Sequence, residues 1–159
     1  IAGTLSKYTD GISIKWPNDI YWYDKKISGT LMECDLKGKN VCTCIIGCGI
    51  NINQTEFLSD APNPVSLKMI TGKTYDPLDI IKDVRDEFQN IYRSVSIEDI
   101  RLRYLTNLYR YDGLPYRFED AYGVFSATIH SIEPTGHLRL QTTDGELRRY
   151  EFKELKFII

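Results

Sequence analysis

The sequence lacks three features that would place it outside the ordinary globular proteins. No apolar run reaches the roughly 18 residues of a membrane-spanning helix, and no basic stretch followed by an apolar run opens the chain as a secretory signal would. Its 20 Lys and Arg are balanced by 22 Asp and Glu, which gives a formal net charge of −2. That balance provides no basic face for nucleic acid. We therefore predict a cytoplasmic protein with no membrane or nucleic-acid contact through this chain.

The sequence also lacks the cysteine and histidine spacing of a metal site. It has four cysteines, of which three lie in one run, and only two histidines far from them in sequence. Zinc sites need close C-x-x-C pairs or nearby histidines, so no resident metal is predicted. Cys42 and Cys44 would lie about 6.6 Å apart along one strand, which suits a disulfide poorly. We expect Cys34, Cys42, Cys44 and Cys48 to be reduced and buried, with a metal or redox role as the alternative.

The chain opens without Met on a segment typical of the last turns of a helix. The segment "IAGTLSKYTDG" has apolar residues at helical spacing, and Gly11 would end the helix. We therefore expect a fragment whose N-terminal portion is missing.

Alternating runs then predict an antiparallel meander of four strands: "ISIKW", "DIYWYD", "ISGTLMECDL" and "VCTCIIGCGINI". Lys25-Lys26 is expected to form a polar turn, and "KGKN" a hairpin turn. Pro62 and Pro64 predict a loop. Helices are predicted after Ser66, after the N-cap pair Asp76-Pro77, and after Ser96.

From about Leu114 the runs become short and alternating, with turns at Pro134-Thr135-Gly136 and Asp144-Gly145. This texture predicts a small β-barrel of SH3-like size. The fold class is therefore α+β: a mixed or antiparallel sheet packed on helices over residues 1–112, then an SH3-like barrel over 113–159.

The long fourth strand has two unlike faces. Even positions from Cys42 to Ile52 are apolar or carry sulfur, and we expect them to pack against helices. Odd positions end in Gly47, Gly49, Asn51 and Asn53. Two glycines on one face leave bare backbone on which a ligand ring can lie, followed by two amides. A strand bend or bulge, and strand-end turns, are the structural alternatives.

Lys15 would stand on the polar face of its strand together with Ser13. Pro17 biases Trp16 to extended geometry and so fixes the direction of this strand end. If that strand neighbours the glycine strand, Lys15 would lie above the bare backbone. The alternative is a solvated surface lysine.

Three ordered blocks carry a resemblance to a known family. They are "KWPNDI" from Lys15, "GTLME" from Gly29, and "GCGIN" from Gly47. In this order they resemble the catalytic domain of the biotin protein ligases, and the C-terminal β-domain resembles the SH3-like domain of that family.

The resemblance implies a two-step reaction in which biotin and ATP, with Mg²⁺, give biotinoyl-5′-AMP, and a lysine of a carrier protein then takes the biotin. The implied acceptor is the biotin carboxyl carrier domain of a biotin-dependent carboxylase, and a homodimer is a further expectation. Lys15 is the implied catalytic and biotin-binding residue. The resemblance implies further biotin contacts at Ile20, Gly29, Gly47 and Gly49, and nucleotide contacts at Asn18, Asp19 and Asn51.

The sequence departs from the family at one motif. It contains no Gly/Arg-rich loop of the form G-R-G-R-x-G, which in the family precedes the K-W-P-N-D block and closes over the adenylate. We therefore expect the chain to hold half the site and to be inactive alone. The alternatives are a lipoate ligase of the same fold, or an SH3-like module that binds Pro-rich peptides through its many tyrosines.

Overall fold

The computed structural model describes residues 1–38, 40–58 and 63–159. The expected turn at Lys39 and the expected loop at Pro62 lie outside these residues. The chain forms two units, residues 1–100 and residues 101–159. The α+β class predicted from the sequence is confirmed, with an antiparallel sheet in each unit.

The first unit contains a four-stranded antiparallel sheet whose strands follow one another in chain order. They are β1 (Ile12–Lys15), β2 (Asp19–Trp22), β3 (Lys25–Lys37) and β4 (Asn40–Ile50). The expected turn at Lys25-Lys26 is wrong, because both lysines already belong to β3. The chain reverses just before them, at Tyr23 and Asp24, and the φ of Tyr23 is 48°, in the left-handed region.

One face of this sheet packs against helices. The helices are α1 (Ala2–Leu5), α2 (Leu67–Thr71) and α3 (Pro77–Ser94), and a fourth helix, α4 (Ile97–Thr106), follows them. The residues buried in the core between sheet and helices come from both layers: Leu5, Ile20, Ile27, Val65, Leu67 and Ile80. Alternate residues of β1 and the end of β4 pack at its margin, namely Ile12, Ile14 and Ile50.

The helix starts predicted from the sequence are confirmed by their capping contacts. Ser66 accepts a hydrogen bond from the amide of Met69, and Asp76 accepts one from the amide of Leu78. The hydroxyl of Ser96 likewise accepts from the amide of Asp99 at 3.0 Å. Each cap satisfies one backbone donor that the first helical turn leaves unpaired.

The expected burial of the cysteines is wrong. All four are exposed, and Ile46 on the same face of β4 is 44% exposed. The helical layer covers only the end of that face, at Ile50 and Ile52. The apolar stripe of α3 behaves similarly, since Ile80 is buried whereas Phe88 and Tyr92 are 56% and 80% exposed.

The second unit contains a five-stranded antiparallel sheet with the order β8-β7-β6-β5-β9. Its strands are β5 (Tyr116–Asp120), β6 (Gly123–Ile132), β7 (Leu138–Thr142), β8 (Leu147–Tyr150) and β9 (Lys156–Phe157). Phe118, Leu138 and Leu140 are fully buried in it. Tyr109 contacts Phe157 at 6.4 Å between ring centroids, so the unit includes residues before 113. A domain boundary at residue 113 stays a prediction.

Among the residues that the structure describes, no helix is both long enough and apolar enough to cross a membrane.

The side chain of Asn53 tests which contacts hold the segment after β4 to the rest of the first unit. Its side-chain amide donates to the carbonyl of Tyr75 at 2.7 Å, and its oxygen accepts from the amide of Tyr75 at 3.0 Å. Asn53→Ala removes both bonds, so we expect a loss of about 2 kcal/mol in the free energy of unfolding, measured by urea denaturation. Asn90→Ala, at an exposed helical position, is the control and should cost nothing. Equal effects in the two variants would show that this pair of bonds does not stabilise the fold.

Candidate functional site

A row of paired residues crosses all four strands of the first sheet. Lys15 pairs with Asp19, Asp19 pairs with Gly29, and Gly29 pairs with Gly49. Because residues directly opposite one another in an antiparallel pair project from the same face, these four positions share one face. The condition that β1 neighbours the glycine strand is not met, since β2 and β3 lie between them. The register nevertheless places Lys15 in one line with Gly29 and Gly49.

The glycines on this face leave open space. A Cβ built at Gly47 would approach no atom closer than 4.0 Å, and one at Gly49 none closer than 3.9 Å. In both cases that atom is a backbone carbonyl oxygen of β3. The flat patch expected from the sequence is therefore present on the face opposite the helices. Nothing among the described side chains covers it at these two positions.

Lys26 reaches over the third glycine of the face. A Cβ at Gly29 would meet the Cε and Nζ atoms of Lys26 at 3.2 Å each and the carboxylate of Asp19 at 3.3 Å. The ammonium and that carboxylate form an ion pair of 2.7 Å, with the two side chains 30% and 22% exposed. A bulge between Ile20 and Tyr21 shifts the register and turns Lys26 to this face. A turn at Lys25-Lys26, as expected from the sequence, would not have placed the Lys26 side chain over this face.

The backbone of Lys26 is fixed from the other side. Its amide donates to the carbonyl of Asn63 at 2.9 Å, and its carbonyl accepts from the amide of Val65 at 2.9 Å. This short parallel bridge holds the first residues of β3 between β2 and the segment after residue 62. The direction of the Lys26 side chain is therefore set by the pairing with β2 on one side of its strand and by the hydrogen bonds to this segment on the other.

Lys15 has the predicted face but a different neighbour. Its ammonium lies 5.4 Å from the centroid of the Tyr21 ring, a cation–π contact with a side chain that is only 2% exposed. Tyr21 lies two pairs further along the ladder, opposite Ser13, and so on the same face. The Lys15 ammonium thus leans along its strand toward the ring of Tyr21.

Ile20 does not lie on the glycine face. It pairs with Ile14 and Ser28, is 6% exposed, and belongs to the core beneath the sheet. The expectation that Ile20 lines the same pocket as the glycines does not fit this placement. Leu31 does have the right position, because it is paired with Gly47 and is 62% exposed. Counting alternate residues from Gly29 along "GTL" would have found it.

The side chains of Asn18 and Asn51 are used to brace the backbone. The amide of Asn18 donates to the carbonyl of Thr30, and the amide of Asn51 donates to the carbonyl of Val65 at 3.1 Å. The first bond ties the turn after β1 to β3, and the second holds the segment that fixes Lys26. Both amides therefore position the site, whatever else their oxygens contact.

Within residues 1–38, 40–58 and 63–159, no three side chains of His, Cys, Asp or Glu lie together as a metal site would require. The pair Asp19 and Lys26 is a salt bridge, and such a pair leaves one carboxylate oxygen and two ammonium protons for further contacts. The arrangement can accordingly bind a polar or anionic group beside a flat apolar platform.

Comparison with known proteins shows which family the segment containing this row is similar to. The family described as "Biotin/lipoate A/B protein ligase family" matches residues 5–51, which contain the whole row from Lys15 to Gly49. The "Bifunctional ligase/repressor BirA" of Bacillus subtilis is 31% identical over 144 residues, covering 86% of this chain and 44% of that protein. This chain is a relative of the biotin protein ligases. The resemblance expected from the three sequence blocks is thus confirmed.

Other biotin protein ligases match shorter segments or the fold. The human "Biotin--protein ligase" is 39% identical over 54 residues, which is 33% of this chain and 7% of that protein. The apo structure of the biotin protein ligase from Aquifex aeolicus has a TM-score of 0.68 at 24% identity, over 99% of this chain and 70% of that one. The likeness to the Aquifex aeolicus structure supports the fold of this chain. The chain spans less than half the length of its first curated relatives.

Three alanine substitutions test the open face of this biotin ligase relative. Gly47→Ala and Gly49→Ala meet no close atom, so we expect the free energy of unfolding to change by less than about 0.5 kcal/mol. Gly29→Ala pushes against Lys26 and Asp19 and should cost about 1 kcal/mol. Urea denaturation measures all three. A large loss at Gly47 or Gly49 would mean that the open patch is filled in solution.

Proposed function

We propose that this chain supplies the sheet face on which biotin and a nucleotide meet in an enzyme that biotinylates a carrier-protein lysine through biotinoyl-5′-AMP. One observation carries the proposal: a row of residues that ends in bare glycine backbone, with the Lys26 ammonium held over Gly29 by Asp19. The relatives named as biotin ligases support it. The structure from Aquifex aeolicus that is titled as a complex with biotin and ATP has a TM-score of 0.69.

The glycine patch is the proposed biotin platform. Gly47 and Gly49 expose backbone next to the apolar side chain of Leu31, so a fused ring system can lie flat on the sheet. Apolar ring atoms gain about 25 cal/mol for each Å² removed from water. Leu31 takes the place in this pocket that the sequence analysis gave to Ile20.

The cation beside the platform is the proposed charge stabiliser. In the first step a carboxylate oxygen of biotin attacks the α-phosphorus of ATP, and pyrophosphate leaves. Both reactants are anionic, so a fixed ammonium offsets their repulsion and the charge that develops on the phosphoryl oxygens. We assign this role to Lys26, whose amine is held over Gly29. Lys15 lies in the same row and is the second candidate for this role, as the sequence predicts.

The second step needs only an amine nucleophile from the acceptor. The lysine of a biotin carboxyl carrier domain attacks the carbonyl carbon of the mixed anhydride, an amide forms, and AMP leaves. The proposed nucleotide contacts are Asp19, Asn18 and Asn51. Because the amide nitrogens of both asparagines are bonded to backbone carbonyls, their side-chain oxygens would make these contacts.

Magnesium would arrive with the nucleotide. Since the described part of the chain holds no cluster of three metal-ligating side chains, a protein cage for Mg²⁺ does not fit here. Mg²⁺ commonly binds through substrate phosphates with few protein ligands. No step above depends on it. The homodimer expected from the resemblance stays a prediction.

We further propose that residues 1–159 alone have no ligase activity. The sequence has no Gly/Arg-rich loop to close over the adenylate. We therefore expect this chain to bind biotin weakly and to form biotinoyl-5′-AMP only in the presence of a segment that provides such a loop. ATP–pyrophosphate exchange with biotin, at an ordinary enzymatic rate in the chain alone, would contradict this part of the proposal.

Three aromatic side chains of the second unit are not available for peptide binding, whereas Tyr111 and Tyr122 are 39% and 96% exposed. Tyr109 and Phe118 are 8% and 0% exposed, so they cannot line a groove for a Pro-rich segment. Tyr116 is covered by the guanidinium of Arg110, which lies 4.6 Å from its ring centroid, and its hydroxyl donates to Asp112.

Direct binding tests the biotin platform. Isothermal titration of the chain with biotin, with lipoate and with a non-hydrolysable biotinoyl-adenylate analogue should show binding of biotin and tighter binding of the analogue. Gly47→Val should abolish both, because the added side chain fills the platform. Preference for lipoate would assign the chain to the other branch of the matched family. Unchanged biotin affinity in Gly47→Val would place the platform elsewhere.

Lys26→Met tests the charge stabiliser. The variant should lower affinity for the adenylate analogue at least tenfold and alter the free energy of unfolding by less than about 1 kcal/mol, because the ion pair is partly exposed. Lys25→Met, the exposed neighbour in sequence, is the matched control and should bind as the unchanged chain does. If Lys15→Met lowers affinity and Lys26→Met does not, Lys15 is the charge stabiliser that the sequence analysis expected.

A further inference from the structure

Two cysteines lie directly opposite each other on β3 and β4. Cys34 pairs with Cys44 across the antiparallel ladder, and their Sγ atoms are 3.1 Å apart. Both side chains are exposed. They project from the face opposite Gly29 and Gly49, because each is an odd number of residues away from the glycine of its own strand.

This geometry is close to that of a disulfide. Directly opposed residues in an antiparallel pair have Cβ atoms about 4.5–5.5 Å apart, and a disulfide needs about 3.5–4.5 Å. The S–S bond is about 2.05 Å long, so the two sulfur atoms need to approach by about 1 Å. We propose that Cys34 and Cys44 form an oxidisable dithiol that closes to an intramolecular disulfide when it meets a peroxide or a small disulfide such as oxidised glutathione.

The reaction balances with either oxidant. With hydrogen peroxide, the thiolate of one cysteine takes one oxygen as a sulfenic acid, and the second thiol displaces it as water, so that two thiols and one peroxide give one disulfide and two waters. With oxidised glutathione, the thiolate first forms a mixed disulfide, and the second cysteine then releases two molecules of glutathione in all. The two electrons leave the protein in both cases.

The other two cysteines do not have this arrangement. Cys48 is paired across the ladder with Thr30, whose hydroxyl lies 3.9 Å from its sulfur. Cys42 falls where the register shifts, between the pairs formed by Thr43 and Val41. The chain therefore provides two cysteines of similar exposure as matched controls for the pair.

The bond would tie together the strands that carry the glycine face. It would close the hairpin over residues 35–43 from the side away from Gly47 and Gly49. Oxidation should therefore slow the opening of the hairpin without filling the glycine patch. This consequence is independent of the proposed function, since it follows from the pairing of β3 and β4 alone.

The test is to oxidise the dilute chain with one equivalent of hydrogen peroxide or with a glutathione redox buffer, to alkylate the remaining thiols, and to identify linked peptides by mass spectrometry. We expect a loss of two hydrogens per chain and one dominant Cys34–Cys44 peptide. Cys34→Ser and Cys44→Ser should each abolish it, whereas Cys42→Ser and Cys48→Ser should leave its yield unchanged. The hydrogen bond with the neighbouring Cys34 thiol raises the pKa of Cys44, so less Cys44 is thiolate at neutral pH, and oxidation should become faster as the pH rises.

Three outcomes would overturn the proposal. They are alkylation of all four cysteines at equal rates after oxidation, a mixture of linkages that includes Cys42 or Cys48, and disulfides found only between chains. The same experiment on Cys42→Ser/Cys48→Ser chains removes competing linkages, and absence of the bond there would overturn the proposal even if oxidation damages the unmodified chain.

Discussion

The ion pair between Lys26 and Asp19 is the contact on which the candidate site depends. At 2.7 Å, with both groups partly covered, it holds an ammonium above Gly29 and close to the row that ends at Gly49. A lysine on an open strand would sample many rotamers at a cost in entropy when a ligand binds. The carboxylate reduces that freedom in advance, and it does so next to backbone that no side chain covers.

The sheet separates stability from chemistry by its two faces. Ile14, Ile20 and Ile50 project from one face into the helices, and the glycine row occupies the other. A substitution on the helical face therefore acts mainly through packing, at several kcal/mol for a large buried side chain. On the glycine face, the same change in volume alters the shape available to a ligand and leaves the core unchanged.

Much of this arrangement could be predicted from alternation and turn chemistry. The meander, the helix caps at Ser66 and Asp76, and the bare face at Gly47 and Gly49 all follow from local patterns that the structure reproduces. Such features depend on residues close together in sequence, for which spacing is sufficient information.

The position of Ile20 could have been predicted in the same way, because it follows Asp19 directly and so projects from the opposite face. The position of Lys26 could not. A bulge after Ile20 changes which residues face each other, and a one-residue shift moves every following side chain to the other face. No residue type in "DIYWYDKKIS" marks the bulge. The prediction that the cysteines are buried was wrong for another reason. Alternation shows that two residues share a face of the sheet, but not whether another layer of the protein covers that face.

The side-chain amide of Asn51 connects the glycine platform with the Lys26 cation. Asn51 donates to the carbonyl of Val65, and the amide of Val65 donates to the carbonyl of Lys26. Lys26 in turn meets Asp19, the residue paired with both Lys15 and Gly29. The residue that directly follows the platform strand therefore fixes the segment that directs the cation. Loss of the Asn51 side-chain amide would therefore act in two ways, because it removes a proposed nucleotide contact and loosens the Lys26 backbone, while the shape of the glycine platform stays unchanged.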